Sequence, residues 1–316
     1  MVNCKVCGNS DNNKIFNAKE MMFGFRDEFK YLECASCRCL QLLDPPKDIT
    51  KYYPENYYSY QTKGEEYLIQ TSFTKTLKRK LKQRLLDYYL QGNSLAGKII
   101  AEKYRSYYPW IKRNTITSTS RILDVGCGAG ELLLKMYNDG FRDLTGVDPY
   151  IQNDINYKCG ITIHKKDIEE LKDKYDLIML HHAFEHMDEP LTILKKLYKL
   201  LNNKGQLIIR IPVADCYAWK KYGVNWVQLD APRHFFLHTT KSISLLSEQS
   251  GFTLMDVLFD SYSLQFTGSE KYLKNIPLMD ETELFSEKQI QNYSKESENL
   301  NSTKEGDQAC FYLYKN

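Results

Sequence analysis

The segment 121–130, RILDVGCGAG, constrains the fold of this chain more than any other. Its apolar start predicts a strand over residues 122–125, and the glycines that follow predict a turn that opens a helix over residues 131–138. Glycine lets the backbone approach a ligand closely and adopt angles that other residues avoid. The segment therefore predicts a ligand-binding turn at the end of a buried strand.

Beyond this turn, short β-type runs alternate with runs of helical period, which is the pattern of a doubly wound α/β domain. We predict a mostly parallel, seven-stranded, Rossmann-like sheet, with the C-terminal segment as an edge strand. The remaining predicted strands cover residues 144–147, 161–164, 175–180, 206–211, 255–259 and 310–314, and the remaining helices cover 191–201 and 241–250.

The rest of the chain divides into two further regions. Residues 1–43 carry five of the nine cysteines, and residues 44–118 form an aromatic and basic helical region that precedes the α/β domain at 119–316. An apolar fraction of 42% and a charged fraction of 26% are those of an ordinary globular protein. Because the N-terminus lacks the layout of a signal peptide, we expect a cytoplasmic protein.

The ligand of the turn is expected to be cationic rather than a phosphate. The spacing is G-x-G-x-G, neither the dinucleotide pattern nor a P-loop, and Asp124 precedes the first glycine, where it would repel a pyrophosphate. Asp124 can instead face a positive amino-acid group. Asp148, after the next strand, can accept ribose hydroxyls, and Asp167 with Ile168 can contact adenine.

These motifs, LDVGCGAG, TGVDP and KKDIEEL, resemble those of the class I S-adenosylmethionine-dependent methyltransferases. The resemblance covers roughly residues 120–260, and its three motifs follow the expected strand ends in order. It implies S-adenosylmethionine as the cofactor. The implied cofactor-binding residues are Asp124, Gly126, Cys127, Gly128, Gly130, Asp148, Asp167, Ile168 and His181.

The reactive side is predicted after the fourth strand, in the sequence HHAFEH of residues 181–186. Ligands of open α/β sheets bind at the carboxyl ends of the strands. We predict His186 as general base with Glu185 as its orienting partner, and His234 as a second candidate base. The alternative is that Glu185 and His186 only cap the turn. His181 and His182 are expected to line the methionine end of the pocket, with either as an alternative base.

An aromatic insertion at residues 212–238 is predicted to cover the acceptor site. Aromatic rings can stack on sugar faces, and Arg233 could pair with a phosphate or carboxylate. The alternative is a hydrophobic plug in which Asp230, Arg233 and His234 are internal polar contacts. The candidate substrate-binding residues are His182, Tyr217, Trp219, Trp226, Arg233 and His238.

The N-terminal cysteines are predicted to form a structural zinc ribbon. Cys4, Cys7, Cys34 and Cys37 form two C-x2-C pairs, each able to present two sulfurs to one ion, with Cys39 as a spare ligand. A redox pair or an iron–sulfur cluster is the alternative. A cysteine module before such a domain is similar to the layout of deoxysugar C-methyltransferases.

Together these features predict a methyltransferase for a small-molecule or glycan-type acceptor. We expect a sugar hydroxyl, nucleotide- or lipid-linked, in polysaccharide or natural-product biosynthesis. Nucleic acid is not the expected partner. Residues 73–89 predict a basic amphipathic helix, packed on the core or else in contact with RNA or the inner membrane surface. The alternatives are an RNA methyltransferase, a sugar C-methyltransferase and a non-catalytic cofactor-binding protein.

Overall fold

A computed structural model describes residues 2–54, 86, 87, 90, 110, 111 and 115–316. Apart from residues 86 and 87, the basic segment predicted at 73–89 lies outside this part of the chain. Within it, no helix has both the length and the apolar character needed to cross a membrane.

The chain forms two compact units. The first, which we call the cysteine unit, comprises Met1–Pro54, His182–Leu194 and Arg210–Tyr312. The second, which we call the glycine-turn unit, comprises Glu55–His181, Lys195–Ile209 and Leu313–Asn316. Each unit is therefore built from three stretches that are distant in sequence.

The elements of the described residues are as follows. The strands are β1 Lys14–Lys19, β2 Glu28–Glu33, β3 Leu40–Leu42, β4 Arg121–Val125, β5 Asp143–Val147, β6 Ile155–Asn156, β7 Thr162–His164, β8 Tyr175–His181, β9 Leu201–Pro212, β10 Phe236–Leu237, β11 Thr253–Phe259 and β12 Gln308–Tyr314. The helices are α1 Glu131–Asp139, α2 Pro190–Leu200, α3 Tyr217–Tyr222, α4 Thr240–Ser250, α5 Leu264–Leu273 and α6 Glu287–Ser302.

The larger sheet has the strand order β11-β12-β9-β8-β4-β5-β7-β6. β4 pairs in parallel with β5 and with β8, and β5 pairs in parallel with β7, which confirms the α/β prediction. The buried central strands carry apolar side chains on both faces, as parallel strands covered by helices do. The glycine turn follows β4 and leads into α1, as the sequence predicts.

The prediction of seven strands with β12 at the edge is wrong in two respects. The sheet has eight strands in the described part of the chain, since β6 adds two residues antiparallel to β7. A two-residue strand is too short to leave a period in the sequence. β12 lies between β11 and β9, and six of its seven residues are buried, so it is an interior strand.

β9 begins five residues before the predicted start. The predicted loop Asn-Asn-Lys-Gly after α2 is strand, because backbone partners from the C-terminus are available to it. The Lys204 N–H donates to the Lys315 carbonyl at 3.0 Å, and the Lys315 N–H donates to Gly205 at 3.0 Å. Pairing with a distant segment thus overrides the turn-forming tendency of these residues.

The cysteine unit contains a four-stranded sheet in the order β1-β2-β3-β10. β10 comes from the insertion 212–238 and pairs antiparallel with β3, with Phe236 opposite Gln41 and Leu237 opposite Leu40. Trp219, Trp226 and further apolar residues of the insertion share one buried cluster with the β1–β3 region. The insertion is therefore part of the core of this unit, which matches the plug interpretation.

Candidate functional site

The glycine turn of the glycine-turn unit is a tight backbone loop. Gly126, Gly128 and Gly130 have φ of 71°, 54° and 78°, values that favour glycine. The Gly126 N–H donates to the Val147 carbonyl at 2.8 Å, which ties the turn to the end of β5. A Cβ on Gly130 would lie 2.5 Å from Ile163 Cδ1. The turn therefore requires glycine for conformation and for space.

Asp148 is held in place by the same turn. Its Oδ2 accepts a hydrogen bond from the Gly128 N–H at 2.9 Å, and its Oδ1 accepts one from the Tyr150 N–H at 2.9 Å. The predicted ribose acceptor is thus oriented by the loop that carries the glycines.

Asp124 is a buried acid at the end of β4, with 3% of its surface exposed. Its carboxylate has no hydrogen bond or ion pair with any residue that the structure describes. Burial, and then the nearby Asp148 charge, raise the pKa of Asp124 to about 8. A buried carboxyl group of this kind is stabilised in its charged form by a cation. The position fits the ammonium group of an amino-acid moiety.

The other predicted cofactor residues belong to the same unit. Asp167 is exposed and accepts from the Glu169 N–H at 3.0 Å, capping a short 3₁₀ turn that begins at Ile168, which is buried. Cys127 is half-buried within the glycine turn. The His181 ring makes an edge-to-face contact with Trp110, with centroids 4.5 Å apart. The structure groups Asp124, Asp148 and the glycines at one turn, and uses Asp167 as a cap.

Glu185 is the centre of a cluster in the cysteine unit. It follows β8 in the 3₁₀ turn Phe184–His186 and is fully buried, and neither carboxylate oxygen has a hydrogen-bond partner among the described residues. His182 Nδ1 lies 3.5 Å and His234 Nε2 lies 3.9 Å from Glu185 Oε1. Burial by itself raises the pKa of Glu185, but His182, His186 and His234 oppose it and lower the pKa to about 2.

The backbone fixes the tautomers of two of these histidines. Nδ1 of His186 lies 2.8 Å from the Arg233 carbonyl, and Nδ1 of His234 lies 2.8 Å from the Gln228 carbonyl. A carbonyl can only accept, so each Nδ1 carries a proton, and a lone pair of the neutral ring is then on Nε2. Burial, and then the neighbouring His186, lower the pKa of His234 to about 4. His234 is therefore neutral at physiological pH.

Arg233 is engaged within the protein. Its side chain is fully buried, and its guanidinium donates to Asp230 at 2.9 Å, to Glu20 at 3.0 Å and to the Tyr52 carbonyl at 3.2 Å. The guanidinium N–H groups that were predicted to bind a phosphate or carboxylate of the acceptor therefore donate to these internal partners instead. The arrangement matches the interpretation of Arg233 as an internal polar contact.

Most of the candidate substrate-binding side chains of the insertion 212–238 are buried too. Trp226 is fully buried and donates to Asp307 at 3.0 Å, and Trp219 is 8% exposed. His238 is fully buried and stacks on Phe184, with centroids 5.1 Å apart. Tyr217 and His182 are partly exposed.

Two contacts, that of Arg233 with Glu20 and that of His186 with Tyr53, were not predicted. Glu20 comes from the N-terminal region, and Tyr53 Oη lies 3.1 Å from His186 Nδ1. The one signal for Glu20 in the sequence is an acid next to the apolar run MMFGF, which by itself does not name Arg233 as a partner. Neither contact follows from spacing, because each joins positions more than 130 residues apart.

The four predicted cysteine ligands converge in the cysteine unit. Cys4 Sγ lies 3.6 Å from Cys37 Sγ, and Cys7 Sγ lies 3.5 Å from Cys34 Sγ, with all four sulfurs within 4.8 Å of one another. Tetrahedral zinc with bonds of about 2.3 Å separates sulfurs by about 3.8 Å. The spare Cys39 lies outside this group, with its Sγ 3.4 Å from the Leu40 carbonyl. The geometry fits a four-thiolate metal centre.

Comparison with known proteins identifies several relatives. A tRNA U34 carboxymethyltransferase of Sulfurimonas denitrificans is 27% identical over 128 residues, which are 36% of this chain and 42% of that protein. A ubiquinone biosynthesis O-methyltransferase of Pseudomonas fluorescens is 24% identical over 173 residues, which are 49% of this chain and 73% of that protein. The chain spans about half the length, or less, of the carboxymethyltransferases it matches.

Among solved structures, a SAM-dependent methyltransferase from Archaeoglobus fulgidus aligns with 69% of this chain and 94% of that chain, at 21% identity and a TM-score of 0.42. The family of methyltransferase domains matches residues 75–257. That match covers more than half of the chain and includes the glycine turn, Asp124, Asp148 and the Glu185 cluster. The protein therefore belongs to the methyltransferase domain family.

Proposed function

We propose that this protein is an S-adenosylmethionine-dependent methyltransferase that acts on a small-molecule or glycan-type hydroxyl, such as a sugar hydroxyl in polysaccharide or natural-product biosynthesis. The observation that carries the proposal is Asp124, a buried acid without a partner among the described residues, beside a turn with three glycines at positive φ, of which Gly130 has no room for a Cβ. S-adenosylmethionine, when bound, supplies a methyl group activated by its sulfonium charge. A cationic ligand accounts for an acid at a position where a phosphate would be repelled.

The residues of the glycine-turn unit fit such a ligand. Asp124 would bind the ammonium of the methionine moiety, and Asp148, whose carboxylate is oriented by the Gly128 and Tyr150 amides, would accept ribose hydroxyls. Asp167 and Ile168 would contact the adenine. The three glycines keep the backbone free of side chains where the ligand approaches. The chain therefore supplies binding and orientation, which are the main requirements of methyl transfer.

A hydroxyl acceptor must lose its proton as the methyl group is transferred. We propose that this is the task of the cluster of Glu185, His186 and His234, whose two imidazole Nε2 atoms carry lone pairs. We propose the partly exposed His182 and Tyr217 as acceptor contacts. The fully buried Trp226, Arg233 and His238, and the nearly buried Trp219, would act through packing.

An RNA acceptor is the second candidate. It is favoured by the tRNA U34 carboxymethyltransferases among the relatives, although their identity to this chain is 25–29%. Binding to RNA releases counterions, so its affinity falls steeply as salt increases. Salt-insensitive transfer to a nucleotide sugar would exclude this candidate.

We also propose that Cys4, Cys7, Cys34 and Cys37 hold a structural zinc ion. The proposal is supported by four sulfurs that approach tetrahedral spacing. A site with four thiolates has no open position for substrate, so the ion would stabilise the fold of the cysteine unit.

The cofactor proposal is tested by calorimetry with S-adenosylmethionine and its demethylated product. We expect micromolar binding to the wild-type protein and at least a tenfold loss in Gly130→Ala. Gly160→Ala is the matched control: its φ of 94° imposes a similar backbone cost, but its Cβ would meet nothing within 4 Å. If neither compound binds the wild-type protein, the proposed function is wrong.

The acceptor class is tested by transfer of a labelled methyl group to nucleotide sugars, lipid-linked sugars and cellular RNA. We expect label in the sugar fraction at both low and high salt. Label confined to RNA would replace the glycan acceptor with the second candidate. Label in no fraction, despite cofactor binding, would favour a non-catalytic protein.

A further inference from the structure

The carboxylate of Glu185 is buried in an unusual way. Its side chain has no exposed surface, and the structure gives neither oxygen a hydrogen-bond partner within the residues that it describes. No lysine or arginine of these residues forms an ion pair with it; its neighbours are imidazoles, at 3.5 Å for His182 and 3.9 Å for His234. A buried carboxylate without a hydrogen-bonded or oppositely charged partner destabilises the folded protein. The group therefore calls for a cation.

The two histidines beside it are arranged as metal ligands usually are. A metal-binding imidazole commonly donates its second N–H to a backbone carbonyl, which fixes the tautomer and turns the other nitrogen toward the ion. Both His186 and His234 make this hydrogen bond, at 2.8 Å, to the carbonyls of Arg233 and Gln228. The Nε2 of His234 lies on the side of Glu185, 3.9 Å from its Oε1.

We propose that Glu185, His186 and His234 bind a divalent transition-metal ion. One ligand atom from each residue lies within 4.8 Å of the others. Octahedral ligands at about 2.1 Å from an ion are about 3 Å apart, so the ligands must close by a small movement. His186 is partly exposed, which leaves its ring room to turn and gives the ion a route of entry. Two histidines and one carboxylate bind on one face of an ion and leave open positions.

The ligand types of the two clusters differ. Imidazole and carboxylate together accept Mn²⁺, Fe²⁺ or Zn²⁺, whereas the four sulfurs of the cysteine cluster favour a thiophilic ion such as zinc. Asp230 is a further carboxylate nearby, with its Oδ2 3.8 Å from His234 Nε2, but it is already paired with Arg233. The two metal sites of the cysteine unit therefore differ in chemistry and can be loaded separately.

This inference deepens the proposed function, because an ion with open positions would bind the acceptor hydroxyl. A hydroxyl bound to a divalent ion loses its proton to solvent at a lower pH than a free one. The ion would then replace a free imidazole as the group that activates the acceptor. The three residues would act as ligands, not as general base and orienting partner.

The test is a titration of the zinc-loaded full-length protein with Mn²⁺, without cofactor, followed by the loss of the free-ion electron paramagnetic resonance signal. We expect one Mn²⁺ per chain, and at least tenfold weaker binding in Glu185→Gln and in His234→Gln. His164→Asn is the matched control, since His164 forms an exposed pair with Asp154 at 3.0 Å that offers only two ligands. Its affinity should equal that of the wild type.

A second measurement uses only the wild-type protein, so it does not depend on whether the variants fold. Pulsed resonance on the wild-type protein with Mn²⁺ should detect coupling to imidazole nitrogen. The proposal is overturned if Mn²⁺ does not bind, if no nitrogen coupling is found, or if correctly folded Glu185→Gln binds as tightly as the wild type. The titration needs no S-adenosylmethionine, so failure of cofactor binding, measured separately by calorimetry, leaves this result interpretable.

Discussion

At the scale of single residues, Asp124 shows how burial changes the pKa of an ordinary carboxyl group. In water this group is ionised at neutral pH, but in the folded protein burial and Asp148 raise its pKa to about 8. Ionisation therefore favours the unfolded chain: the contribution of Asp124 to stability falls as pH rises from about 4 to about 8. A bound cation would reverse this effect by stabilising the charged form.

We predict that cofactor binding is coupled to release of a proton from Asp124. Below about pH 8 the free carboxyl is protonated and must ionise to face a cation, so affinity should rise as pH increases from about 6 to about 8, by at most about tenfold per pH unit. Calorimetry in buffers of different ionisation enthalpy measures the released proton. Asp124→Asn should bind the cofactor more weakly and release no proton from this position. Any titration of the cofactor itself affects both proteins equally and cancels in the comparison. Equal pH slopes would contradict the prediction.

At the scale of a single element, the N-terminus of α4 contacts the second cysteine pair of the cysteine unit. Thr239 caps this helix by accepting from the Ser242 N–H at 3.0 Å, and its hydroxyl donates to the Cys37 carbonyl at 2.7 Å. Lys241, in the first turn, donates to the Ser36 carbonyl at 2.7 Å. The beginning of α4 therefore holds the second cysteine pair in position.

We predict that Thr239→Ala lowers stability and weakens metal retention together. Loss of the cap should cost about 0.5–2 kcal/mol of unfolding free energy, measured in urea, and zinc should transfer faster to a coloured chelator. Ser286→Ala is the matched control, because Ser286 also forms a capping box, at the exposed start of α6. It should lose similar stability with unchanged zinc release. Equal release from both variants would show that α4 does not support the cysteine site.

At the scale of the whole molecule, the cysteine unit joins Met1–Pro54 to His182–Leu194 and Arg210–Tyr312. The four-cysteine cluster, the four-stranded sheet and Glu185 with its neighbouring histidines all belong to it. Its strands β1, β2 and β3 are short. Within the described residues their sheet is extended by one further strand, the two-residue β10 of the insertion. Zinc bound by four thiolates contributes about 10–16 kcal/mol in small domains, comparable with the total stability of a domain.

We predict that removal of zinc unfolds the β1–β3 region and leaves the glycine-turn unit folded. Hydrogen exchange should show loss of protection over Lys14–Leu42, with protection of β4, β5 and β8 retained. Adding zinc back should restore the lost protection. Unchanged exchange over Lys14–Leu42 after verified metal loss would contradict a structural role for the ion.

Local sequence patterns were sufficient to predict much of the fold. Glycine spacing after an apolar strand predicted the β4–turn–α1 unit, and two C-x2-C pairs predicted the cysteine cluster, because both depend on residues close in sequence or on one residue type. The prediction of β12 at the edge is wrong, and its run ACFYLY, which is apolar throughout, is itself typical of an interior strand. That β11 and β9 are its neighbours depends on contacts with distant segments, which no local pattern encodes.

The functional residues divide in the same way. The sequence alone determined the glycine turn and the two C-x2-C pairs, and it singled out Asp124 and Asp148, since these features belong to short motifs. Only the tertiary structure decided that Arg233 pairs with Glu20 and that the insertion is core. It also decided that Glu185 lies buried among three histidines. The physical reason is that burial and pairing of charges depend on contacts between residues up to 213 positions apart, and such contacts leave no pattern along the chain.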